Sequence, residues 1–172
     1  HQHRGLLADI PSVRWHIVEQ PHFVALGRQE FESDGLRFFA SIDEALAAGP
    51  PALVIASSVL PYLESPWPVI DRLAALPADA WIVSRTAFSA DGSNTLFLQH
   101  VPPVVYRAKY PLWALAQPAF ENRWGRNDTT ISWHPTPEGE FASGGRRFGF
   151  KTAVIRKRPA DQFNATATLR AN

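Results

Sequence analysis

Residues 52–56 read ALVIA, a run of apolar side chains that enters a Ser-Ser pair at Ser57 and Ser58 and continues as VLPYLES to Pro66. A run that is apolar throughout, rather than alternating, marks a strand buried on both faces, as parallel strands are. The carboxyl ends of such strands are where open α/β sheets bind ligands. Three further runs have strand character: 13–18 (VRWHIV), 36–40 (LRFFA) and 80–86 (AWIVSRT). Helix signals lie between them. Pro21 opens a segment to residue 31, Ser41 is placed to cap 43–48, and 68–76 puts Val69, Ile70, Leu73 and Leu76 on one face. Four strands separated by three crossovers predict a mostly parallel sheet with helices on both faces.

The pattern changes after Phe88. Residues 90–94 are turn-like, and 95–101 read as extended. The Pro-rich run 102–118 carries Tyr106, Tyr110 and Trp113 and reads as a lid or cleft wall with a short helix at 112–117. Segments 129–134 and 148–156 read as strands joined by the turn-rich stretch 135–145, an antiparallel hairpin at the sheet edge. Residues 1–11 read as the tail of a helix closed by Pro11, and 165–169 as an extended or frayed end.

With 172 residues and 45% hydrophobic side chains, one domain with a substantial core is expected. A formal charge of +1 argues against a broad nucleic-acid footprint, despite the local run of Arg146, Arg147, Lys151, Arg156, Lys157 and Arg158. The absence of cysteine excludes disulfides and thiolate metal sites and is compatible with a cytoplasmic setting. No apolar run has membrane-spanning length. The absence of any methionine suggests a chain that opens part-way through a longer one. Oligomeric state is not legible.

The candidate chemistry sits at strand ends. Glu19 follows a strand and precedes a helix, where a carboxylate accepts both ribose hydroxyls in nucleotide-binding folds; it is equally placed as a solvated or capping acid. No GxGxxG loop or P-loop accompanies it. Ser57 and Ser58 offer hydroxyls to a ligand or cap the strand end, and no GxSxG elbow surrounds them. Arg85, at the end of AWIVSRT, reaches toward the same crevice or forms a structural ion pair. His100 is a candidate base, and Tyr106 and Tyr110 are candidates to orient a substrate; each also fits an aromatic core. Arg146 and Arg147 touch a phosphate or solvate a turn. His1 and His3 have metal-pair spacing, but no HxH or HExxH framework joins the other histidines, so no metal site is expected.

Several segments together resemble a group of bacterial class I methyltransferases. They are WHIVEQPHFVALG at 15–27, LRFF at 36–39, ASSVLPYLESP at 56–66, the strand leading to Arg85, Thr86 and Phe88, and QHVPPVVYRAKYPLWAL at 99–115. The resemblance implies a Rossmann-like α/β fold with a C-terminal antiparallel hairpin and S-adenosylmethionine as cofactor. It implies that Glu19 binds the cofactor ribose, that the turn holding Ser41 and Ile42 lies by the adenine, and that Ser57, Ser58 and Val59 line the cleft. Gln99, His100, Tyr106 and Tyr110 would belong to a cap over a small-molecule or saccharide-linked acceptor. Catalysis would rest on orientation, with His100 or a tyrosine taking a proton and Arg85 beside them. The group's first strand and glycine-rich cofactor loop would precede residue 1, so the chain reads as a methyltransferase-like domain lacking them. Two other readings stay open: a degenerate Rossmann-like module binding a partner through 106–124, and a nicotinamide-dependent oxidoreductase.

Overall fold

The computed structural model describes residues 7–125 and 129–158, and the chain divides into two compact units, His1–Pro50 and Pro51–Asn172. The first unit contains β1 (Trp15–Val18), α1 (Pro21–Glu30), β2 (Leu36–Phe39) and α2 (Ile42–Ala47). β1 and β2 pair in parallel, from Trp15 opposite Leu36 to Val18 opposite Phe39. Pro21 occupies the first turn of α1, where its missing N–H costs nothing. The helix meets β2 at Gly27, where any β-carbon would overlap the Phe38 ring. Ser41 caps α2 as expected: its Oγ accepts from Glu44 N at 3.1 Å, while Glu44 Oε2 accepts from Ala40 N at 3.1 Å.

The second unit contains β3 (Leu53–Ser57), a single 3₁₀ turn (Leu60–Tyr62), α3 (Pro66–Ala74), β4 (Ala80–Ser89), β5 (Thr95–His100), β6 (Lys109–Ala114), α4 (Gln117–Gly125), β7 (Thr129–Ser143) and β8 (Arg146–Lys157). One mixed sheet has the order β3-β4-β8-β7, and β5 and β6 form a separate antiparallel ribbon. Among the described strands β1–β2 and β3–β4 pair in parallel, with one isolated parallel bridge between Phe88 and Leu115, so the mostly parallel sheet expected from the crossovers is realised only in part. The C-terminal hairpin is present. Gly144 and Gly145, with φ of 58° and 74°, make its two-residue turn, and β8 lies between β4 and β7.

The strands run further into the expected turn 135–145 than the prolines suggest. β7 is an edge strand, which tolerates Pro135 and Pro137, and its register shifts between Pro135 and Glu140. The expected helix at 112–117 is instead strand β6. Leu112 and Ala114 point inward and Pro111 outward, the two-residue period of a strand, and the helix starts only at Gln117. Leu112 and Ala114 pack with Ala87, Phe148 and Phe150. On another part of this unit Trp81 and Trp124 meet edge-on at 5.2 Å, and Phe88 lies 5.3 Å from Phe120 and 4.9 Å from Trp133. The Trp81 indole N–H donates to Leu73 O at 2.9 Å, which ties α3 to the sheet.

β3 departs from its sequence character. It is the terminal strand of its sheet, and Leu53 and Ile55 are 45% and 47% exposed. Of residues 1–11, Ile10 N donates to Leu7 O in a turn, and residues 1–6 lie outside the described residues, as does 165–169.

Candidate functional site

In the first unit the parallel strands end at Glu19 and at the Ala40–Ser41 turn. Glu19 N donates to Phe39 O at 3.1 Å, which fixes the chain as it leaves β1, and the carboxylate is exposed. One of its oxygens accepts from Gln20 N at 3.0 Å, and the rest of its lone pairs face solvent. Ser41 and Ile42 open α2, and the Ser41 hydroxyl is engaged as the helix cap. Two concave regions of this unit lie elsewhere. One of about 130 Å³ is lined by Arg14, Trp15, Gly35 and Arg37, at the amino ends of the strands, the opposite end from ligand sites in such sheets. The other is an open groove beside Arg28 and Phe38.

In the second unit a group of polar side chains converges beyond the carboxyl end of β3. Ser57 is level with Ser84 across the β3–β4 pair, and Ser58 N donates to Ser84 O at 3.1 Å. Ser58 and Arg85, the residues that follow this level on each strand, have φ of 56° and 51°. Left-handed backbone at a non-glycine residue costs roughly 1–3 kcal/mol and persists only where the surrounding structure imposes it. Both hydroxyls of the serine pair are without a partner among the described residues, so neither caps the strand end. Val59 is 43% exposed.

Arg85 is not at a strand end. β4 continues to Ser89 after a register shift between Val83 and Thr86, and that irregularity re-aims the arginine. β7 carries its own shift at the same level of β8, beside Lys151, and lifts out Glu138. The two meet: Arg85 Nη2 lies 2.6 Å from Glu138 Oε1, with side-chain exposures of 56% and 22%. The Thr136 hydroxyl, the Glu138 backbone N–H and the Arg85 charge hold the Glu138 carboxyl below its usual range.

All three tyrosines of the chain gather beside this pair. Tyr62 Oη donates to Gln99 Oε1 at 3.3 Å, the Tyr62 and Tyr110 rings meet edge-on at 5.4 Å, and the Tyr106 and Tyr110 hydroxyls are 3.5 Å apart. β5 and β6 bring Gln99 opposite Tyr110. Burial raises the Tyr62 pKa, opposed by the Arg85 charge. The hydrogen bond to Tyr106, with burial, pushes the Tyr110 phenol up to about 12. Both shifts favour the protonated phenol at Tyr62 and Tyr110.

Of the residues singled out in the sequence, the structure brings Arg85, Tyr106, Tyr110 and Gln99 together. His100 sits next to Gln99 on β5 and so projects from the opposite face, with exposed Leu96 and Leu98. Arg146 and Arg147 are engaged within the fold, with Asp91 at 3.6 Å and Glu140 at 3.0 Å. Phe120 and Trp124, within the segment considered for partner binding, are fully buried. His1 and His3 lie outside the described residues, and among those described no group of three metal-ligating side chains forms. Sequence reasoning missed Tyr62, although it lies in the opening stretch, and Glu138, whose only signal is the Pro-Thr-Pro-Glu-Gly interruption of a strand.

No family model matches the chain, and no curated protein matches it. Among solved structures it is similar to one described as a "putative S-adenosylmethionine dependent methyltransferase from Listeria monocytogenes". The identity is 12%, the match covers 91% of this chain and 86% of that one, and the TM-score is 0.53. At that identity the likeness concerns the fold alone. The chain has a methyltransferase-like α/β fold.

Proposed function

We propose that this chain is an S-adenosylmethionine-dependent methyltransferase of the bacterial group whose motifs it resembles, acting in the cytoplasm on a small-molecule or saccharide-linked acceptor. The observation that carries the reading is Glu19: an exposed carboxylate at the carboxyl end of a parallel strand, in a chain with a methyltransferase-like fold. Its chemistry fits the cofactor, since one oxygen is only singly engaged by Gln20 and a ribose diol needs paired acceptors. Within the second unit, taken by itself, Ser57 and Ser58 carry uncommitted hydroxyls and Val59 offers an apolar surface. When bound, the cofactor supplies an electrophilic methyl group.

The chain's own contribution is to hold and orient. Arg85 and the tyrosine hydroxyls fix the acceptor, and orientation of this kind supplies a large part of the barrier reduction in group transfer. Small-molecule rather than nucleic-acid partners fit a chain whose Arg146, Arg147 and Lys151 are engaged internally. No helix among the described residues is long and apolar enough to cross a membrane.

Calorimetric titration of S-adenosylmethionine and S-adenosylhomocysteine tests the reading. Glu19→Ala is expected to weaken binding by about tenfold or more, the worth of a hydrogen-bonded charge. Unchanged affinity in the folded variant rejects the ribose contact. A partner-binding reading is favoured by one observation, the exposure of Val104 at 92% and Val105 at 65% beside Leu96 and Leu98. Failure of the folded wild type to bind either adenosyl compound would move the conclusion to it.

A further inference from the structure

We propose that Arg85 and the three tyrosines form a binding site for an organic monocarboxylate with an apolar or aromatic body. Most of the cluster's outstanding hydrogen-bonding groups are donors, set against one buried acceptor, Glu138 Oε2, that is also without a hydrogen-bond partner among the described residues. The Tyr106–Tyr110 pair holds two hydroxyl protons and makes one internal bond, so whichever oxygen donates, one proton is left without an acceptor among the described residues. Gln99 uses its carbonyl oxygen for Tyr62, which leaves its amide N–H groups outstanding. Arg85 has one nitrogen on Glu138, and its side chain is 56% exposed. Three kinds of surplus donor in one exposed group call for a ligand rich in acceptors.

Charge selects among such ligands. Arg85 is already paired with Glu138, so the group carries little net charge and suits one negative charge better than the near-dianion of a phosphate monoester. The guanidinium fork matches the planar carboxylate. Glu138 engages only one nitrogen of the arginine, whose side chain is 56% exposed, so the rest of the guanidinium fork is open to a ligand. The Tyr62 and Tyr106 rings, 40% and 53% exposed, offer the apolar surface for the rest of the molecule. The strain at Arg85 agrees with this role: its left-handed backbone holds an arginine where glycine would sit at no cost.

A carboxylate acceptor also removes the need for a base, so Glu138 stays on Arg85. For the ligand's fate alone the proposal rests on the methyltransferase reading. A carboxylate oxygen then forms the new O–CH₃ bond as the S–CH₃ bond breaks. The bonding pair stays on sulfur, a neutral thioether leaves, and no proton moves.

The test uses benzoate, benzamide and phenyl phosphate with the whole chain in the absence of any adenosyl compound, read by calorimetry and by shifts of the tyrosine ring resonances. Benzoate is expected to bind at least about tenfold more tightly than benzamide and more tightly than phenyl phosphate. Arg85→Gln should abolish that preference, Arg85→Lys should keep part of it, and Glu138→Gln should tighten benzoate by freeing the guanidinium. The proposal is overturned by equal binding of benzoate and benzamide, by tighter binding of phenyl phosphate, or by an Arg85→Gln protein with unchanged far-ultraviolet circular dichroism and unchanged benzoate affinity. Benzoate binding without S-adenosylmethionine binding would sink only the methyltransferase reading, and the reverse would sink only this one.

Discussion

The second unit holds two clusters of aromatic rings that look alike as sequence and behave as opposites. Trp81, Phe88, Phe120 and Trp124 are at most 1% exposed and meet edge-on around the β4 strand, with the Trp81 indole hydrogen paired to Leu73. Tyr62 and Tyr106 are 40% and 53% exposed, and with Tyr110 they carry hydroxyls beside a strained, charged residue. The first cluster excludes water and stabilises the fold; the second keeps its polar ends wet. An aromatic ring therefore signals core or site according to whether it is buried whole, as even the Trp124 indole N–H is, or keeps a hydroxyl at the surface.

The largest expected effect would break the comparison on the buried side. Trp124→Ala should cost about 3–5 kcal/mol in denaturant unfolding, because it empties the space between Trp81 and Phe120. Tyr106→Ala, at a half-exposed position, should shift stability by less than about 1 kcal/mol. Comparable losses would mean that the tyrosine cluster is core after all.

Trp81→Phe keeps most of the ring and removes one donor from Leu73 O, which still accepts from Leu76 N at 3.2 Å, so about 0.5–1.5 kcal/mol should be lost in the same measurement. A smaller effect sharpens the wet side. Absorbance titration at the phenolate band should show one phenol ionising near 12, and Tyr106→Phe should move it back toward 10. Since the folded state favours the protonated Tyr110, its stabilising contribution is full below pH 10 and is lost as pH rises through about 12. Three phenols ionising together near the ordinary value would remove the hydrogen bond. Smallest of all, Arg85→Gly relieves the left-handed backbone while deleting a partly exposed ion pair, two effects of opposite sign, so unfolding should change by about 1 kcal/mol or less while benzoate binding is lost.

Part of this was legible in the residues. The runs 13–18, 36–40, 52–56 and 80–86 all lie on strands or flank them, because branched and aromatic side chains favour extended backbone locally. The Pro21 and Ser41 helix starts were equally local, since a cap involves only a few successive residues. The run 112–117 reads as a short helix because the rings and prolines around it have no clear period alone, whereas 109–114 is strand. That segment becomes a strand when β5 supplies its ladder and Ala87, Phe148 and Phe150 cover Leu112 and Ala114.

The sites divide in the same way. Glu19, Ser57 and Ser58 stood out because strand ends are visible in a string of letters. Glu138 did not, since 53 positions separate it from Arg85 and only matched irregularities in β4 and β7 bring them together. His100 looked as good as Gln99, and strand alternation put them on opposite faces.

By itself, then, the sequence determined the local elements and an α/β class, because propensity, caps and turn glycines act over a few residues. Only the tertiary structure decided which strand lies at an edge, which aromatic rings are dry, and that Tyr62 joins the other two tyrosines to Arg85. Those depend on contacts between residues far apart in the chain, whose free energy exists only once the sheet has formed.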